Sequence, residues 1–201
     1  PKVEAGYSHT DSLGTRSVDF NYSTTPSLPQ LLTLLGVRND DDPLFVRLGN
    51  ANLRQSRSHT FGLTFNTMSN GKGNTSWTVS TGANILQDAL GTKVTYDRAT
   101  GQTTSQQVNV NGNWSANASI TLNRGLDANH NLDLSASLNS DYSRSVDLNQ
   151  TATGGDDTKS KVYTLNTSGS LTLSYHKSRN FMVMLIATVN NNRVTGSRDD
   201  F

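Results

Sequence analysis

The chain has 201 residues, a formal net charge of +1, no cysteine, 33% hydrophobic residues and 16% charged residues. The missing cysteines exclude disulfides, Cys-ligated zinc and thiol catalysis, and the near balance of charge argues against a nucleic-acid binder, which carries a clustered basic excess. Hydrophobic content is well under the roughly 45–50% of ordinary globular chains, but disorder also needs high net charge, and here Asn, Ser, Thr and Gly fill the gap.

In chain order, Pro1 to Thr10 shows no basic region followed by an apolar one, so no signal peptide is legible. A first strand is expected over 16–25, where Val18, Phe20 and Tyr22 alternate with polar residues. Leu28 to Leu35, ringed by Pro26 and Pro29, is the one stretch with a hint of helical periodicity. Strands follow over 57–69, with Phe61, Leu63 and Phe65, and over 75–87, with Trp77, Val79, Ala83 and Ile85. The region from Gln87 to Gln106 reads as a loop or a weak hairpin, with a strand over 92–99.

The clearest alternation runs through a strand expected over 104–123. Val108, Val110, Gly112, Trp114, Ala116, Ala118, Ile120 and Leu122 alternate with Asn109, Asn111, Asn113, Ser115, Asn117, Ser119 and Thr121. Side chains on a strand point alternately to opposite faces, so one face is apolar and the other wholly polar. The pattern recurs over 131–147, with Leu132, Leu134, Ala136, Leu138 and Tyr142, and over 160–176, with Tyr163, Leu165, Leu171, Leu173 and Tyr175. A last strand is expected over 180–195. It contains the longest apolar run, Phe181 to Ala187, far short of the roughly 20 residues of a membrane helix.

Short polar turns at Ser69 to Gly73, Gly125 to Asn129 and His176 to Arg179 alternate with longer connections at Pro26 to Ser56, Gln87 to Gln106 and Asn149 to Thr158. Short turns on one side and long loops on the other are how outer-membrane barrels are strung. Period two alone says only that one face is buried, and alternating strands are far more common in soluble sandwiches and barrels. Two features favour the membrane: the polar faces carry Asn, Ser and Thr rather than Lys and Glu, and aromatics sit at the ends of the apolar stripes. Tyr163 and Tyr175 are separated by about 40 Å along a strand at roughly 3.3 Å per residue. With a tilt of about 40°, that covers roughly 30 Å of bilayer, near the height of the apolar band and its girdles. The expected fold is all-β: an antiparallel meander of about eight long strands forming an arc of a transmembrane β-barrel. The alternatives are a soluble β-sandwich and a closed eight-stranded barrel.

No constellation points to chemistry. His9, His59, His130 and His176 lack metal-ligand spacing. Asp40-Asp41-Asp42 has no ordered series of oxygen ligands for calcium, and Asp127 to Asn131 reads as turn chemistry. No phosphate loop or nucleophile elbow occurs. The expectation is no catalytic, cofactor or metal site, and no enzyme.

The segment from Val18 to Phe65 adds a resemblance. Tyr22, Pro26, Ser27, Gln30, Leu31, Asp42, Pro43, Gly49, Asn50 and Leu53 are arranged as in the TonB-dependent receptor-like outer-membrane β-barrel family, best known from Bacteroidetes. His59 to Phe65 corresponds to the strand that follows. Ala51 stands where that family usually has Pro, and Arg54-Gln55-Ser56 replaces a common Lys-Pro-Glu. The resemblance covers about a quarter of the chain. It implies that residues 1–201 are one barrel segment, roughly a third of a wall of about 22 strands, with plug domain and TonB-contacting segment lying upstream of Pro1. It further implies a cell outer membrane of a Gram-negative bacterium, outer-membrane lipid as a partner, and import of a metal chelate, cobalamin or glycan driven through TonB. Ligand contacts are expected in the long loops, at Arg38, Asp40, Asp41 and Asp42 and at Gln150, Asp156 and Asp157. The alternative function is a secreted or surface binding or adhesion module built on a sandwich. An excised arc is expected to dimerise through its raw edges.

Overall fold

In the computed structural model, which describes residues 1–71, 73–127, 131–150, 158–178 and 181–198, strands dominate and lie in one twelve-stranded sheet. Eight long strands form an antiparallel meander: β1 (Lys2–Asp11), β2 (Gly14–Ser27), β5 (Ser56–Ser69), β6 (Ser76–Gln87), β9 (Asn113–Gly125), β10 (Leu132–Gln150), β11 (Thr158–Ser178) and β12 (Phe181–Arg198). Each pairs with the next, from β1·β2 through to β11·β12. Strands β1 and β12 do not pair with each other among the described residues, so the wall is an open arc. The four remaining strands, β3 (Arg38–Asp42), β4 (Phe45–Leu48), β7 (Ala89–Tyr96) and β8 (Thr103–Val110), come from the two long connections, with a single helical turn α1 (Leu31–Leu34).

Register carries the apolar pattern unbroken across the wall, because paired residues share a face. One line of pairing runs Tyr7, Val18, Phe65, Val79, Ile120, Leu138, Gly169, Val189. A one-residue slip anywhere would turn a strand's greasy side inward. Among the described residues no second layer covers the middle of this face: Ile120 is 47% exposed, Leu138 50%, Leu171 48% and Leu185 70%. A sandwich would have buried Trp114, Leu134 and Leu171 against an opposing sheet, and that alternative is set aside. Nor do eight strands close on themselves. The buried apolar residues, Val46, Leu53, Ala89, Val110 and Val146, belong instead to the loop structure and to the strand ends that meet it.

Aromatic clusters mark the two ends of the apolar face. Toward the short turns Phe65 meets Trp77 edge-on at 5.3 Å. Toward the long connections Tyr22 packs on Phe61 at 4.9 Å, and Trp114 lies 5.3 Å from Tyr142, which faces Tyr163 at 6.4 Å. These are the girdles of a membrane-spanning band. The opposite face is laced with small polar side chains: Asn66 Nδ2 donates to Ser17 Oγ, Thr78 Oγ1 donates to Asn66 Oδ1, and Ser137 and Ser170 hydroxyls lie 2.8 Å apart.

Three expectations need correcting. Lys2–Asp11 is a strand that the sequence reading passed over, because Glu4, Gly6, Ser8 and Thr10 alternate with only Val3, Ala5 and Tyr7. The stretch 104–123 is not one strand. Gly112, at φ +113°, breaks it into β8 and β9, and each keeps the same alternation, so periodicity could not reveal the corner. The strand expected over 92–99 runs over 89–96 and belongs to the loops, not the wall. The count of about eight long strands holds only because β1 replaces it.

Candidate functional site

The two long connections, 28–55 and 88–112, fold on each other into a small sheet in the order β3-β4-β8-β7. It joins the wall where β9 has ended: β7 pairs in parallel with the top of β10, Leu148 opposite Lys93. At the junction Asn113 Oδ1 accepts from the Val146 N–H at 2.6 Å, standing in for the missing ladder partner.

Side-chain amides hold the connections together. Asn109 Oδ1 accepts from the Arg54 N–H at 2.8 Å, while its Nδ2 donates to the Arg54 carbonyl at 3.0 Å and the Asp88 carbonyl at 2.8 Å. Asn109 thus mimics a ladder neighbour for Arg54. Gln106 donates to the Gly49 carbonyl, Asn50 to that of Gln107, and Gln102 to that of Pro43. Replacing Asn109 by Ala removes all three bonds. At about 0.5–1.5 kcal/mol each, we expect local stability to fall by roughly 1.5–4.5 kcal/mol. Amide exchange in 50–55 and 88–96 should accelerate while the wall strands keep their protection; unchanged exchange there would rule out the staple.

One face of this small sheet lines a groove of about 590 Å³. Pairing places Asn39, Arg47 and Ser105 side by side on three strands, with Gln107 and Thr92 in the next line and Phe45 beyond. Leu32 and Thr33 of α1 complete the wall. Helix α1 is clipped there by its backbone: the Asn50 N–H donates to the Thr33 carbonyl at 2.6 Å and the Gly49 N–H to the Val37 carbonyl at 2.9 Å. Gly49 is required, because a Cβ there would sit 2.7 Å from the Gly36 nitrogen. Since Lys93 shares the apolar face with Leu148, Thr92 lies on the other side, and the groove opens on the polar face of the wall. Arg47 is the one ionisable residue in its lining.

The expected loop residues divide. Arg38 to Asp42 form β3, exposed on the outer edge of the small sheet. Their acidic groups serve the chain itself: Arg38 Nε lies 3.3 Å from Asp40, Asn39 Nδ2 donates to Asp41, and Asp42 accepts from the Leu44 N–H at 2.9 Å. No group of three metal-ligating side chains occurs among the described residues. Gln150 ends β10, and Asp156 and Asp157 lie outside the described residues. Asn39 lies inside the expected stretch Arg38 to Asp42, whereas Arg47, Ser105 and Gln107 were missed, because only the pairing of two loops distant in sequence brings them together. The one legible signal was the alternation of Phe45 and Arg47 with Val46 and Leu48.

Two turn carboxylates are tuned by backbone donors. The Leu132 N–H, 2.9 Å from Asp127, holds its carboxyl below the usual range in the β9–β10 turn, and the Ala99 N–H, 2.9 Å from Asp97, does the same between β7 and β8. Both act as turn clamps.

An open, one-layer antiparallel arc with an oily girdled face, an amide-rich face and folded loops at one end defines the wall of a transmembrane β-barrel. The chain belongs to the Outer membrane protein beta-barrel family, whose sequence model matches residues 1–200. Its place is therefore the outer membrane. No curated protein and no solved structure matches it.

Proposed function

We propose that the chain is part of the barrel wall of a TonB-dependent receptor of the Bacteroidetes type, importing a scarce nutrient through the outer membrane of a Gram-negative bacterium. The observation that carries this reading is the groove of about 590 Å³ at the long-loop end, opening on the polar face where a captured ligand would enter the lumen. Its lining suits a small polar ligand. Asn39, Ser105, Gln107 and Thr92 offer donors and acceptors, Arg47 adds one cation, and Phe45 supplies an apolar wall. Small-molecule sites combine such walls with few convergent polar groups. The resemblance from Tyr22 to Leu53 supports energy coupling through TonB, and that coupling needs chain beyond this segment. The reading assigns no catalytic role to any residue.

The test is growth of cells lacking the full-length protein on limiting iron chelate, cobalamin or oligosaccharide. One of the three should show a defect, restored by the native protein and not by it in cells whose TonB is inactivated. Restoration that ignores TonB would leave a barrel without active import.

A further inference from the structure

Most charged residues of the wall sort by face. Arg144 pairs with Trp114 and Tyr163, Arg124 with Leu134, and Arg193 with Leu165. Arg16 pairs with Thr67, itself opposite Trp77, and Arg57 stands two residues from His59, which faces Ile85. All five arginines therefore share the apolar face. Glu4, Asp19, Asp133, Asp141 and Asp147 alternate onto the polar face, opposite Asn21, Thr64, Ser174, Asn117 and Ser160. Lys2, paired with Glu4 at 2.6 Å on the polar face, and Asp11, in phase with Tyr7 at the first turn, depart from this sorting. Arginine on a lipid-facing surface is costly at mid-bilayer and tolerated near the interfaces.

The cations gather at the long-loop end, where three successive lines of pairing bring them close. Lys93 and Lys159 flank Leu148, Lys161 stands opposite Val146, and Arg144 lies between Trp114 and Tyr163. The Arg144 guanidinium sits 6.0 Å from the centre of the Tyr163 ring, and its buried Nε has no hydrogen-bond partner. Among the described residues no carboxylate pairs with Arg144 or Lys159. Trp114, Tyr142 and Tyr163 mark the interface, and the lysines stand one or two pairs beyond it. At about 3.3 Å per residue, that is the depth of lipid phosphates.

We propose that Arg144 and Lys159, with Lys93 and Lys161 adding to the local positive charge, form a docking surface for a phosphate-bearing lipid of the leaflet at the long-loop side. The aromatic row seats the head of the acyl chains, the lysines draw the anionic headgroup, and the Arg144 fork supplies directed donors to its oxygens. This is independent of what the barrel transports.

The test is native mass spectrometry of the full-length protein in detergent, titrated with phosphatidic acid or phosphatidylcholine. Phosphatidic acid should be retained preferentially, and inorganic phosphate at equal concentration should not displace it. The double variant Arg144→Gln, Lys159→Gln should weaken retention about thirtyfold, at about 1 kcal/mol per basic residue at an anionic surface, while Arg144→Lys, which keeps the charge and loses the fork, should lose less than Arg144→Gln. Should the double variant lose its folded gel migration, Lys159→Gln alone carries the test, with about a fivefold loss expected. Equal retention of both lipids, displacement by free phosphate, or undiminished retention in the folded variant would overturn the proposal.

Discussion

Replacing Leu138 by Arg should destabilise the protein in lipid by about 2–4 kcal/mol, the cost of a charge near the bilayer midplane. Leu138 is 50% exposed, and its pairing line runs through Ile120 and Gly169 at the middle of the apolar face. On a water-soluble protein a half-exposed leucine of this kind tolerates arginine with little loss. Its sequence neighbour offers the control. Asn139 pairs with Ser119 and Ser168 on the polar face, so Asn139→Arg should change stability far less. Denaturant unfolding from phospholipid vesicles reads both. A small effect at Leu138 with a large one at Asn139 would invert the assignment of faces.

The second large effect is expected at Gly14. It opens β2 at φ +149°, and a Cβ there would collide with the Met68 carbonyl oxygen and lie 2.9 Å from Ser69 Cα. Both obstacles are backbone of the paired strand β5, so no side chain can move aside. Asp11 Oδ1 fixes the same turn by accepting from the Leu13 and Gly14 N–H groups at 2.8 and 3.0 Å. Gly14→Ala should therefore cost about 2–4 kcal/mol, combining backbone strain with displacement of the β2·β5 pairing. The readout is the same unfolding experiment. At Gly36, φ +62° with nothing near a Cβ, the identical substitution should cost only about 1 kcal/mol. Equal losses at both positions would refute the steric account.

Most of the wall was legible because a lipid-facing strand obeys one rule along its whole length. The alternation in β6, β9, β10 and β11 needs no knowledge of partners, and the register later brought those stripes into line. β1 escaped because its polar residues outnumber its three modest apolar ones. The corner at Gly112 escaped because β8 and β9 carry the same phase, and only a positive φ separates them. The groove was illegible for a different reason. Arg47 and Gln107 are 60 positions apart, and what joins them is parallel pairing of β4 with β8, stapled by Asn50 and Gln106. Non-local pairing of this kind leaves no periodic trace. The acidic run Asp40 to Asp42 drew notice by its charge, yet it caps its own turn.

The charge arrangement has a consequence for the lumen. With Asp19, Asp133, Asp141 and Asp147 on the polar face and the wall arginines on the other, the interior of this arc is acidic. Arg47, in the lining of the groove at the long-loop end, adds a positive charge beside that face.

Fluorescence quenching by brominated lipids measures the orientation of the wall most directly, since Trp77 and Trp114 are the two tryptophans of this segment and both lie on its apolar face. In bilayers of lipid brominated near the headgroup end of the acyl chains, emission from both should be strongly quenched, and aqueous iodide should have little effect. Emission indifferent to bromolipid and extinguished by iodide would mean that this face is turned to water, and the barrel wall as described would be wrong.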